Sequence, residues 1–275
     1  MKNPLRPFAS QLPSRALLGV TALSLVLLAS AIPAAASTAL DRVADIEAAH
    51  AAGTYGQQSA VKADFTVDFG PMLLEGTMWF TPSMGHVRLE LEGGQTIVYD
   101  GATAWLSPAD AEVPGPPARF HVLTWPYFVA VPYKLDDPGT HHKVTGPHPV
   151  RSADEKLHGT KVTFDAGVGD TPEDWYIAFA DEENGRLSAL AYIVTYGTAL
   201  EEASKTPSIV LYDDFVDVDG VPFATTWTFH FWQPESGVEG DPKGTAKLSN
   251  IAFVNAPKNA FVKPAGAVEA AAPGQ

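Results

Sequence analysis

The chain has 275 residues, 45% of them hydrophobic, with 18 Lys and Arg against 32 Asp and Glu, a formal charge of −14, and no cysteine. That length allows one large domain or two small ones. The acid excess argues against nucleic acid and anionic lipid head groups as partners, and the missing cysteine excludes disulfides, thiol chemistry and a lipid-modified N-terminal cysteine.

Residues 1–36 read as a signal peptide. Lys2, Arg6 and Arg15 form a basic start, Ala16 to Ile32 is apolar, and Ala34, Ala35 and Ala36 supply small residues for cleavage. The apolar run is about as long as a short membrane span, so an uncleaved anchor is the alternative. With cleavage no stable membrane span remains, and the protein is exported to the periplasm or cell envelope of a bacterium. Removing the three basic residues takes the charge from −14 to −17, which suits solubility or a basic partner.

Thr38 to Ala52 predicts a helix: Asp41 lies near its start, Leu40, Val43 and Ile46 recur at helical spacing, and Gly53 and Gly56 follow. The period then changes to two. Ala63, Phe65, Val67 and Phe69 alternate with polar residues; Leu74, Met78 and Phe80 share a face; Val87, Leu89 and Leu91 alternate with charges. This is the pattern of antiparallel strands with one buried face. Gly93-Gly94 turns the chain into Gln95–Tyr99. Pro108 to Pro117 reads as a loop.

Ala118 to Leu135 holds Phe120, Leu123, Trp125, Phe128, Val129 and Tyr133, too apolar to be exposed. Pro126 and Pro132 argue against one straight helix, so one or two short helices packed over the sheet are expected. Residues 136–157 read as a polar loop with His141, His142 and His148. Strands resume at Lys161–Asp165, Trp175–Ala180, Leu187–Tyr196, Ile209–Val216, Phe223–Trp232 and Thr245–Val254, with turn signals at Glu183-Asn184-Gly185 and Asp219-Gly220. Residues 257–275 read as a disordered tail.

The expected fold is mainly β with some α: a single curved antiparallel sheet or half-barrel of about ten or eleven strands over residues 37–256, with an N-terminal helix and a short helical lid. Two motifs add to this. Gly76, Trp79 and Pro82 form Gly-x-x-Trp-x-x-Pro, and Tyr99 to Trp105 form Tyr-Asp-Gly-x-x-x-Trp with Asp100, Gly101 and Trp105. In this order and spacing, with an apolar helical segment after them, the chain resembles the LolA/LolB-type periplasmic lipoprotein carriers. The resemblance implies a half-barrel that holds acyl chains beneath a lid. It also has a departure: the family's shuttle carries an arginine just before that proline, thought to latch the lid, and Thr81 stands there.

A half-barrel too open to be filled by its own strands leaves a concave apolar face that binds acyl chains by area burial, at about 25 cal/mol per Å². The candidates for that face are Phe65, Phe69, Leu74, Met78, Phe80, Leu89, Leu91, Trp125, Phe128, Trp175, Phe179, Phe229 and Phe231. The alternative for each is packing on the helices. His230 alternates away from Phe229 and Phe231 and is expected on the wetter face. His141 and His142 are adjacent, so their side chains diverge, which argues against a metal site. Asp213 and Asp214 are adjacent on a strand and likewise diverge. No Gly-x-Ser-x-Gly surrounds a serine. Neither a catalytic residue nor a metal or cofactor is expected.

The reading that follows is a non-enzymatic binding or carrier protein for an apolar small molecule, a lipid or a lipoprotein acyl chain. The alternative is an envelope interaction or structural module with a filled interior, whose partner is an envelope protein. A hydrolase or metal-dependent enzyme ranks third.

Overall fold

The computed structural model describes residues 37–272. The signal-peptide reading of residues 1–36 lies outside them. Among the described residues no helix is long and apolar enough to cross a membrane.

Helix α1 (Ala39–Ala49) begins with a capping box. Thr38 Oγ1 accepts from the Asp41 backbone N–H at 3.1 Å, and the Asp41 carboxylate accepts from the Thr38 N–H at 2.9 Å. Two of the unpaired donors at the helix start are satisfied in this way. The helix stops earlier than Gly53. Ala51 takes a left-handed conformation (φ 54°), and Gly53 falls inside a second short helix, α2 (Ala52–Tyr55). What ends α1 is the burial of His50, 1% exposed, whose Nε2 accepts from the Leu187 N–H at 2.9 Å.

The first group of strands is β1 (Ala60–Asp68), β2 (Leu73–Phe80), β3 (Val87–Leu91), β4 (Thr96–Tyr99) and β5 (Ala104–Ser107). Helix α3 (Ala118–Ala130) and a 3-10 turn (Val131–Tyr133) come next. Then follow β6 (Thr140–Pro149), β7 (Lys156–Phe164), β8 (Tyr176–Ala180), β9 (Leu187–Tyr192), the short helix α4 (Leu200–Ala203), β10 (Ser208–Val218), β11 (Val221–Gln233), β12 (Gly237–Val254) and β13 (Val268–Ala270). All thirteen strands form one antiparallel sheet in the order β13-β5-β4-β3-β2-β1-β12-β11-β10-β9-β8-β7-β6. Two hairpin meanders are stitched together by β12, which pairs with both β1 and β11. The sheet is not closed; β13 and β6 are its two edges.

Both turn signals form hairpins. Asp219 and Gly220 both have positive φ, 51° and 83°, which is the requirement of a type I′ turn. At the other, the Asp181 carboxylate accepts from the Glu183 and Asn184 N–H groups at 2.9 and 3.0 Å.

Thirteen strands stand where about ten or eleven were expected, and β5, β6 and β13 are the ones not placed from the sequence. The histidine segment is strand β6 rather than a loop. Its half-buried side is built of Thr140, His142 and Val144, so it lacks the apolar face by which a strand is recognised. The tail is not disordered through its length: Val268, Glu269 and Ala270 pair with Leu106, Trp105 and Ala104. The Lys263 ammonium lies 3.8 Å from the Trp105 ring centroid. A short Ala-rich segment is ordered by the edge it covers.

Helix α3 runs through Pro126 without ending. Pro126 removes one helix hydrogen bond, and burial of the helix on most sides outweighs that loss. Pro132 sits in the first positions of the 3-10 turn, where its missing N–H costs nothing. The helix packs on β3, β4 and β5. One large core, running from Val43 through Phe65, Met78, Leu89, Trp125 and Phe128 to Trp227, fills the concave side. A smaller core lies on the opposite face of β8–β11, where Ile177, Phe179, Ala191, Ile209 and Trp232 are covered by Val150. Trp232 Nε1 donates to the Pro149 carbonyl at 2.9 Å and ties that cover down.

Burial lowers the pKa of His50 from 6.5 to about 4. The unfolded chain therefore binds this proton at a higher pH than the folded chain. Stability from neutral His50 is fully present above pH 6.5 and declines as pH falls toward 4, by up to about 3 kcal/mol. Acid unfolding should show this against His50→Gln, which can still accept from Leu187 but does not titrate. The variant's stability is expected to be flatter between pH 6.5 and 4; parallel curves would contradict the assignment.

Candidate functional site

Helix α3 has two apolar faces. His121, Val122, Trp125 and Val129 are buried in the core, with Trp125 against Phe69 and against Phe229 of β11 at 6.0 and 6.3 Å between ring centroids. Phe120, Leu123, Thr124, Tyr127 and Phe128 form the second stripe, at the i, i+3, i+4, i+7, i+8 spacing of one helix face. The stripe meets the sheet through Tyr127 on Tyr176 and Phe128 on Tyr192, at 5.8 and 5.3 Å between ring centroids. It walls a cavity of about 240 Å³ whose other sides are Phe164 at the end of β7, the 168–174 loop, Tyr176 of β8, Tyr192 of β9, Val194 and Tyr196. Met84, in a left-handed conformation (φ 60°) in the β2–β3 turn, reaches it as well.

The loop that rims the cavity is pinned at two points. The Asp174 carboxylate, 8% exposed, accepts from the Thr195 N–H at 2.6 Å, the Thr195 hydroxyl at 2.7 Å and the Thr171 hydroxyl at 2.7 Å. Burial pushes its pKa up against these three hydrogen bonds. The second point is a two-pronged ion pair. Arg119 Nε donates to Asp170 Oδ2 at 2.6 Å and its Nη2 to Asp170 Oδ1 at 2.8 Å, with both side chains mostly buried. Arg119 stands in the first turn of α3, so this pair joins the start of the helix to the loop across the mouth. The side-chain hydrogen bond to Asp170 holds the Arg119 pKa above its usual value.

The helix is fixed at further points. His121 Nε2 meets the Pro114 carbonyl at 2.9 Å, and Trp125 Nε1 donates to His121 Nδ1 at 2.9 Å. The Tyr212 hydroxyl donates to the Phe128 carbonyl at 3.1 Å, and the Tyr133 hydroxyl to the Pro222 carbonyl at 2.8 Å.

The structure sorts the sequence candidates into three groups. Phe128 lines the cavity. Phe65, Leu74, Met78, Phe80, Leu89, Leu91, Trp125 and Phe229 are on the concave side as expected but are buried in its packed core, with Phe69 partly buried against it. Trp175, Phe179 and Phe231 are elsewhere. Phe179 belongs to the smaller core on the far face, and Trp175 packs against it. The concave face of β8 lies one residue out of phase with that expectation, because β8 is buried on both faces and side-chain size does not reveal which is concave. The concave residues are Tyr176 and Ala178. Phe231 shares a face with Phe229 but lies 48% exposed beyond the cover of α3, under the Lys243 ammonium at 4.6 Å. His230 is not on a wet face either: it is 8% exposed, because the smaller core covers that side.

The signal for the missed residues was in the chain. The 120/123/124/127/128 stripe has helical spacing, and Tyr176 pairs directly with Tyr192 across β8 and β9. What was absent was any indication that two halves of the concave face differ, one filled by α3 and one left open.

The motif residues shape the fold and do not touch the cavity. A Cβ on Gly76 would lie 2.1 Å from the Glu90 carbonyl oxygen, so β3 approaches there only because the residue is glycine. Trp79 is on the outer face opposite Lys62, whose ammonium is 5.5 Å from its ring. Asp100 organises the β4–β5 turn: Oδ1 accepts from the Ala102 and Thr103 N–H groups at 3.1 and 2.9 Å, and Oδ2 from Trp105 Nε1 at 2.7 Å. Gly101 has φ 100°. Thr81, next to Pro82, closes the β2–β3 turn, its N–H donating to the His86 carbonyl at 3.0 Å and its hydroxyl accepting from the His86 N–H at 3.2 Å.

The polar constellations separate. His141 pairs with Asp165 at 2.7 Å, His142 meets the Leu135 carbonyl at 2.7 Å, and His148 meets the Pro234 carbonyl at 3.1 Å. Asp213 forms an ion pair with Arg151 at 2.9 Å, while Asp214 takes φ 54° in an irregularity of β10. Among the described residues no group of three or more His, Cys, Asp and Glu is placed to hold a metal ion.

No family model and no curated protein matches the sequence. Solved structures do. A LolA superfamily protein, NE2245, from Nitrosomonas europaea superposes with a TM-score of 0.52 at 12% identity, over 83% of this chain and 99% of that one. The fold is LolA-like. A DUF1329 family protein from Desulfovibrio piger gives a TM-score of 0.49 at 10% identity, over 80% of this chain and 96% of that one. At such identities the likeness concerns the fold alone, and the cavity has to be argued from its own residues.

The Arg119–Asp170 pair is buried enough that removing one partner strands a charge. Arg119→Met is expected to cost about 3 kcal/mol in a denaturant melt, and the double variant Arg119→Met with Asp170→Leu markedly less. Equal losses in single and double variants would mean the pair contributes nothing through its charges.

Proposed function

We propose that this protein is an exported carrier of the LolA-like kind, which holds a lipid, a lipoprotein acyl chain or another apolar ligand beneath α3. The observation that supports it most is the cavity itself. A helix that buries one face in the core offers its other apolar face to an unfilled space, and that space is rimmed by a loop the chain takes care to pin. Each methylene moved from water into such a space contributes about 0.8 kcal/mol.

Size narrows the reading. The cavity, about 240 Å³, is below the roughly 300–1,000 Å³ of most ligand sites. As it stands it suits one chain. A lipoprotein with several chains requires α3 to lift from the 168–174 loop. In this reading Arg119 and Asp170 take the part of the latch for which Thr81 is unsuited, holding the helix start to the cavity mouth.

A second reading rests on the filled part of the concave face. Leu74, Met78, Phe80 and Leu89 are no more than 2% exposed and have no room for a ligand. On that reading the protein is an envelope interaction module, and its partner is another envelope protein.

Native mass spectrometry of protein taken from its own envelope, with lipid extraction in parallel, separates the two. The carrier reading expects a bound acyl species that is absent from Leu123→Trp, which fills the cavity from the helix side. A clean apo mass with no uptake of added lipid would move the assignment to the interaction module. If the ion pair is the latch, Asp170→Asn should release bound ligand faster, on the order of tenfold, as expected for loss of a charge-assisted hydrogen bond. An unchanged release rate would leave the pair a purely structural role.

A further inference from the structure

Tyr127 of α3 and Tyr176 of β8 pack on each other in the cavity wall, with ring centroids 5.8 Å apart. Neither hydroxyl makes a hydrogen bond within the described residues, and both residues line the cavity. Tyr133 and Tyr212 each donate to a backbone carbonyl, and the Tyr55 hydroxyl, away from the cavity, is buried without a partner. Burial raises the pKa of both Tyr127 and Tyr176, with the charge of Asp174 adding to it. They therefore remain protonated donors at any physiological pH.

The charges around the cavity have one sign. Asp170 and Asp174 line it, and no lysine, arginine or histidine does. The nearest cation, Arg119, is committed to Asp170 by both prongs. An anionic head group placed at this depth would find no free counter-charge and, with Asp170 neutralised by Arg119, the carboxylate of Asp174. A saturated chain alone would leave two phenol donors dry.

We propose that the cavity selects a ligand carrying a neutral hydrogen-bond acceptor, such as the carbonyl of an ester or amide, beside its apolar chain, and that Tyr127 and Tyr176 read that group. Free fatty acids and phosphate-headed chains are discriminated against. This inference rests on the carrier reading and specifies its ligand class. Each phenol hydrogen bond to a neutral acceptor is worth roughly a factor of 2–10 in affinity.

The test uses three probes with the same chain: dodecanoate, its glycerol monoester, and dodecane. Each competes for the full mature protein against an environment-sensitive alkylnaphthalene dye, at pH 8, where dodecanoate is ionised. The monoester is expected to bind at least about tenfold tighter than either of the others. In the double variant Tyr127→Phe with Tyr176→Phe, the monoester should fall to the level of dodecane while dodecane is unchanged, which also shows that the variant is folded. Equal binding of all three probes, dodecanoate as tight as the monoester, or a monoester preference that survives in the double variant would overturn the inference and leave the carrier reading standing. Failure of the dye and all three probes to bind would overturn both.

Discussion

Burial of α3 against the concave face is the contact on which the rest of this structure depends. A sheet that does not close must cover its inner face by other means, since its strands cannot meet across the interior. The thirteen-residue α3, from the middle of the chain, covers much of it, and α1 and α2 add Val43, Ile46 and Tyr55. Because α3 is apolar nearly all round, it can seal the first five strands with one side and still present an apolar wall with the other. The tyrosine hydroxyls of Tyr133 and Tyr212, donating to backbone carbonyls, and the Arg119–Asp170 pair hold it at both ends.

That arrangement divides the interior. On the side of β1–β5, alternating residues such as Phe65, Met78 and Leu89 interdigitate with Trp125 and leave no space. On the side of β7–β9, Tyr176, Ala178 and Tyr192 face inward with Val162 and Leu190, and a cavity remains beside Tyr127 and Phe128 of the helix. Function, in the reading given above, is a consequence of where packing was left incomplete. The second core on the far side of β8–β11 makes this possible: it stabilises those strands from outside, so their inner face need not be filled to hold them.

The two motifs that carry the family resemblance have ordinary physical reasons. Gly76 is where two strands come too close for a Cβ. Asp100, Gly101 and Trp105 build one turn, with a carboxylate taking three hydrogen bonds. Neither touches the cavity. Residues that identify the fold are here separate from residues that would bind, which is why recognition of the fold did not locate the site.

Much of the architecture was legible in the sequence. The switch from helical spacing to alternation after Gly56, the paired turn residues at Asn184-Gly185 and Asp219-Gly220, and the apolar run at 118–135 follow from local rules that need no partner: backbone freedom at glycine, side-chain period, and the cost of exposing large apolar surface. Tertiary structure decided what those rules leave open. It made an edge strand of the polar histidine segment, because pairing with β7 supplied what its composition did not. It ordered the 268–270 segment on β5. It set the face of Trp175 and Phe179, since a strand buried on both sides carries no amphipathic signal. It also decided where the interior stays empty, because a cavity is a relation between elements distant in sequence and has no local pattern to reveal it.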